Sequence, residues 1–133
     1  MRGARMYLVV LGVVTAALGV AYVAAPTVFT DPTGFPALPA KALTDVRATY
    51  GGLQIAAGVF LLWTAIDRGR YLSGLFLLSV LFTAVGGSRA IGLLADGDPT
   101  SAMVGAMVFE VSMAVLSWFV YLRVRSAISG VAG

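Results

Sequence analysis

The chain has 133 residues, of which 59% are apolar and only 11% charged, with a formal net charge of +3. An ordinary soluble domain is nearer half apolar and a quarter charged, so the apolar surplus here has to face something other than its own core, and lipid fits. The absence of Cys and His excludes disulfides, Cys or His metal sites and bis-His haem, and it removes the commonest general acid–base side chain.

Four apolar runs follow one another along the chain, and each is long enough to cross a bilayer, which takes about 20 residues. The first covers about Met6 to Ala25. Arg2 and Arg5 precede it and small residues end it, as in a cleavable leader. However, the run exceeds the roughly 7–15 apolar residues of a leader core, and Pro26 follows the only convincing cut site. It is read as a retained span.

A connection over residues 26–45 comes next, holding prolines 26, 32, 36 and 39 together with Phe29, Phe35 and Leu38. Proline stops regular structure, while the apolar residues resist full solvation. The segment is read as an ordered connector at the outer interface, in preference to a lid over the bundle.

The second span runs from about Val46 to Ile66, the third from Tyr71 to Leu94, and the fourth from Ser101 to Leu122. Asp67-Arg68-Gly69-Arg70 forms a tight charged turn. Ala95-Asp96-Gly97-Asp98-Pro99 forms another, with Asp98 as helix cap and Pro99 at the first helical position. Turns this short make spans two, three and four antiparallel neighbours. The expected architecture is all-α: a membrane-embedded antiparallel four-helix bundle, one transmembrane domain over residues 1–133.

Arg2, Arg5, Arg68, Arg70, Arg123 and Arg125 fall on one side of the bundle. Lys41, with Arg47 at the membrane edge, shares the other side with Asp31, Asp45, Asp96 and Asp98. By the positive-inside rule both termini are cytoplasmic, in the cell's cytoplasmic (inner) membrane. The basic residues are scattered at segment ends rather than gathered in a stripe, which does not fit nucleic-acid binding. The wealth of Arg, Ala, Gly and Val is that of a GC-rich bacterial genome.

Arg89 and Glu110 are charges inside spans, each costing about 3 kcal/mol on insertion scales. They are therefore expected to face inward and pair. Glu110 lies roughly 13 Å below the outer edge and Arg89 roughly 7 Å, a difference an Arg side chain covers. Arg47, Tyr50 and Gln54 recur at i, i+3 and i+7, one face of an α-helix. Arg47, Tyr50, Gln54, Arg89 and Glu110 are thus candidates for one outward-facing polar pocket, with Ser88 and Thr49 of lesser weight. The competing reading is a polar lock that fixes helix register. Close approach of the helices would then rest on Gly12, Gly19, Gly51, Gly52, Gly58, Gly86, Gly87, Gly92, Gly105, Ala102 and Ala106. Met103, Met107 and Met113 are read as packing. Trp63, Trp118 and Tyr121, with Tyr22 and Tyr50 at the opposite end, are read as aromatic belts.

The stretches Arg47-Ala48-Thr49-Tyr50-Gly51-Gly52-Leu53-Gln54, Gly87-Ser88-Arg89-Ala90-Ile91-Gly92 with Asp96-Gly97, and Phe109-Glu110 resemble an uncharacterised family of small four-helix membrane proteins, domain of unknown function 4345. The resemblance covers nearly the whole chain. More distantly, the layout is similar to the DoxX-like membrane proteins. The resemblance implies a four-span bundle and supplies no activity.

The residues point to an accessory protein or a binder of a small amphiphilic ligand, and no catalytic residue, metal ligand or cofactor is assigned. Expected partners are the lipid bilayer, an amphiphilic small molecule, and a second copy or membrane-complex partner. Two alternatives stay open. One is a small proton-coupled transporter using Glu110, which needs an oligomer to form a pathway. The other is an isomerase or cyclase on a lipid-soluble substrate, with Glu110 as acid or base and Tyr50 or Arg89 as electrostatic stabiliser.

Overall fold

The computed structural model describes residues 2–30, 36–97 and 99–130, which form helices and turns without a strand. Helix α1 spans Arg2–Ala24 and a single turn, α2, spans Thr27–Thr30. Helix α3 runs unbroken over Ala40–Ile66. After a 3₁₀ turn at Arg68–Arg70, α4 covers Tyr71–Asp96, and α5 covers Ser101–Ser129. The four long helices are each long and apolar enough to cross a membrane. At 1.5 Å per residue they measure roughly 35–44 Å, against a hydrocarbon core of about 30 Å.

Several boundaries differ from those expected. The connection is shorter than residues 26–45, because α3 begins at Ala40, directly after Pro39 in an extended conformation (φ −66°, ψ 158°). Pro39 is the last proline before the span, so nothing beyond it interrupts a helix. Phe35 lies outside the described residues, and so does Asp98. The cap of α5 is Thr100, whose hydroxyl accepts from the Met103 amide at 3.2 Å. Pro99 therefore stands before the cap rather than at the first helical position. The fourth helix also continues seven residues past Leu122, through Arg123 and Arg125.

Helix α1 packs along α3, and α4 packs along α5. Glycines permit the first pairing. A Cβ on Gly58 would sit 2.5 Å from the Ala16 amide nitrogen, and one on Gly19 would sit 2.7 Å from the Gly51 carbonyl oxygen. The backbones of α1 and α3 thus touch directly, as small residues allow in lipid, where close packing replaces the hydrophobic effect as the driving force. Gly52, Gly87 and Gly105 take no part in such seams, since a Cβ on any of them meets nothing within 4 Å.

The two pairs join at the end of the bundle that carries the chain termini. The buried apolar cluster there draws Ala4 and Leu8 from α1, Leu61 and Ala65 from α3, Tyr71, Leu75 and Leu78 from α4, and Val124 from α5. Hydroxyls within this half are satisfied locally. Tyr7 and Ser117 share a 2.8 Å hydrogen bond between α1 and α5. Trp118 donates to Thr83 at 3.1 Å, Thr83 to the Ser79 carbonyl at 2.7 Å, and Ser79 to the Leu75 carbonyl at 2.8 Å. Trp118 is therefore a tie between α4 and α5 as well as a belt residue. Among the described residues, the opposite, distal half carries no comparable buried apolar cluster. The outside of the bundle is apolar around most of its circumference, with Val13, Leu53, Ile66, Ile91 and Val115 among many exposed side chains. An apolar surface this extensive is compatible with a lipid bilayer environment.

Candidate functional site

Arg89, on the distal part of α4, reaches across to Glu110 on α5. Its Nε donates to Oε2 at 2.8 Å and its Nη2 to Oε1 at 2.7 Å. This is the bidentate fork that makes Arg–carboxylate pairs strong and geometrically specific. Glu110 is buried at 8% relative exposure, whereas the Arg89 side chain is 31% exposed. The base of the Glu110 side chain packs against Gly86, where an added Cβ would lie 3.2 Å from the Glu110 Cβ. The fork uses two of the three guanidinium nitrogens. Nη1 makes no hydrogen bond among the described residues.

The other pair of helices brings aromatic rings to the same end. Tyr22 of α1 stacks on Tyr50 of α3, with centroids 5.6 Å apart, and on Phe29 of α2 at 4.4 Å. Tyr50 is 48% exposed, so part of its surface remains open at that end of the bundle. Tyr22 was not among the residues singled out. Its position at the end of an apolar span resembles any belt tyrosine, and only the fold of α2 over it reveals the stack.

Arg47 and Gln54 do not join this group. Arg47 Nε donates to the Val23 carbonyl at 3.0 Å, satisfying one of the orphan acceptors that every helix C-terminus leaves. Gln54 is half-buried and makes no hydrogen bond among the described residues. Residues Arg47–Gly52 form a π-turn, in which i→i+5 bonds replace i→i+4. Across it Arg47 and Tyr50 both reach the last turn of α1, at Val23 and Tyr22, while Gln54 lies in the α-helical part beyond it. Thr49 and Ser88 are exposed and make no side-chain hydrogen bond among the described residues.

Two open grooves, of about 550 and 450 Å³, lie along the outside of the bundle in the half near the termini. Neither is lined by Arg47, Tyr50, Gln54, Arg89 or Glu110. Among the described residues, no three His, Cys, Asp or Glu side chains gather as a metal site would require. No buried side-chain nitrogen or oxygen among them lacks a partner.

The sequence profile described as Domain of unknown function (DUF4345) matches residues 3–121. No curated protein and no solved structure matches the chain.

Proposed function

The chain belongs to the DUF4345 family, and from that premise we propose that it is a multi-pass membrane protein that binds a small anionic amphiphile at its distal end. One observation carries this reading. Arg89 engages both oxygens of Glu110 yet keeps Nη1 unpaired among the described residues, at the end of the bundle that also carries the half-exposed Tyr50. A carboxylate or similar head group would accept from Nη1, and the apolar part of the ligand would lie against the tyrosine ring. Such a mixed site, one charged anchor and an aromatic wall, is the usual composition of small-molecule recognition. The doubly held carboxylate supports a proton carrier or a general acid less well, because a permanent cation sits on both its oxygens.

Six arginines at the end carrying the termini support a placement of that end in the cytoplasm and of the Arg89–Tyr50 site on the opposite face.

Native mass spectrometry of the detergent-purified chain with a medium-chain alkyl carboxylate tests the reading. Wild type should carry the adduct, and Arg89→Ala and Tyr50→Ala should each lose it while remaining helical. If the adduct survives both substitutions, or never forms on wild type, Arg89 and Glu110 act only as a lock between helices.

A further inference from the structure

The groove of about 550 Å³ between α1 and α5 has a composition that the distal site does not explain. Its walls are Gly3, Met6, Tyr7 and Val10 on one side and Phe119 and Arg123 on the other. These walls are almost wholly apolar. The Tyr7 hydroxyl is already bonded to Ser117, which leaves the Arg123 guanidinium as the unengaged polar head in the groove. That guanidinium lies 5.1 Å from the centre of the Phe119 ring and pairs with no carboxylate among the described residues. Gly3 leaves the mouth of the groove open, since a side chain there would meet nothing within 4 Å. Arg2 stands one helical turn before Met6, at the same rim by helical position.

The charge around this rim is one-sided. Arg2, Arg5, Arg68, Arg70, Arg123 and Arg125 share the end of the bundle that carries the termini, against one acidic side chain among the described residues there, Asp67, which is 3.5 Å from Arg70. An apolar channel running along the span from a cation at its mouth matches one chemistry: acyl chains attached to a negatively charged phosphate. Basic pockets between transmembrane helices bind anionic lipid head groups on this physical basis.

We propose that the α1–α5 groove is a binding site for an anionic phospholipid, with Arg123 holding the phosphate and the Met6–Val10 and Phe119 walls holding an acyl chain. The site is separate from Arg89 and stands whether or not a ligand binds at the distal end.

The test titrates the full chain, in detergent, with phosphatidylglycerol or phosphatidylcholine of matched acyl chains, and reads bound lipid by native mass spectrometry. Wild type should retain phosphatidylglycerol preferentially. Arg123→Ala should lower that preference about fivefold, the factor one Arg contributes near an anionic surface. Arg125→Ala, two residues along on the other face of α5, should leave it unchanged, and so should Arg89→Ala. Gly3→Leu, whose Cβ would meet no protein atom within 4 Å, should reduce binding of both lipids by filling the mouth. Equal retention of the two lipids by wild type would overturn the proposal. An Arg123→Ala protein with unaltered preference would do the same, as would a lipid-free dimer whose contacts cover the groove.

Discussion

At the scale of single residues, the Arg89–Glu110 pair is asymmetric in its surroundings, and the asymmetry has a measurable sign. Arg89 is partly open to the distal surface and has a long flexible stem. Deprived of its partner it can reach toward water. Glu110 is shorter, buried as a residue and packed at its base against Gly86, so removing Arg89 strands a buried carboxylate. Breaking a buried pair by deleting one member costs about 3–5 kcal/mol, whereas replacing both by apolar groups is often close to neutral. Discounted for the exposure of Arg89, Arg89→Leu is expected to destabilise the fold by about 2 kcal/mol and Glu110→Leu by less. The double replacement is expected to be more stable than Arg89→Leu alone. Thermal unfolding followed by the intrinsic fluorescence of Trp63 and Trp118 reads all three. A double variant at least as unstable as Arg89→Leu would show that the two side chains do not act as a pair. Depth counting along the two helices was enough to pair these residues, because the cost of a lone charge in lipid leaves few alternatives.

At the scale of helices, the sequence carried the four spans but not every face within them. A run of some twenty apolar residues bounded by charged turns has one reading in a bilayer, so existence and order were legible. The disposition of Arg47, Tyr50 and Gln54 was not, because they straddle a π-turn, where a repeat of 3.6 residues per turn does not hold. Nothing in Arg-Ala-Thr-Tyr-Gly-Gly announces that widening, although the two glycines make it cheap. Glycines show the same limit. Gly58 and Gly105 read alike in sequence, yet one lies against backbone and the other in open space. Gly58→Leu should force α1 away from α3 and lower the melting temperature by many degrees. Gly105→Ala should be neutral or stabilise by up to about 1 kcal/mol, since alanine loses less backbone freedom in a helix. A Gly58→Leu protein that melts like wild type would contradict direct backbone contact between α1 and α3. Thr100→Ala, which removes the cap of α5, should cost about 1 kcal/mol in the same assay.

At the scale of the whole molecule, the proposed orientation has a direct check. The chain contains no cysteine, so single cysteines at Ser101 and Ser129 report on opposite ends without background. In intact cells a membrane-impermeant maleimide should label Ser101→Cys, and should label Ser129→Cys only after permeabilisation. The reverse pattern would invert the topology and move the Arg89–Tyr50 site to the cytoplasmic face.

The uneven distribution of the core has a mechanical consequence. The α1–α3 and α4–α5 pairs are fastened to each other by Leu8, Leu61, Leu75 and their neighbours at one end, while each pair is held internally along its length. Such a molecule bends like a clothes-peg, stiff at the spring and compliant at the jaws. The jaws are the end that carries Tyr50 on one pair and Arg89 on the other. Spin labels at the exposed positions Val20 and Ile91 should give a broader distance distribution than labels at Val9 and Phe76, near the spring, and a ligand bridging the jaws should narrow the first without touching the second.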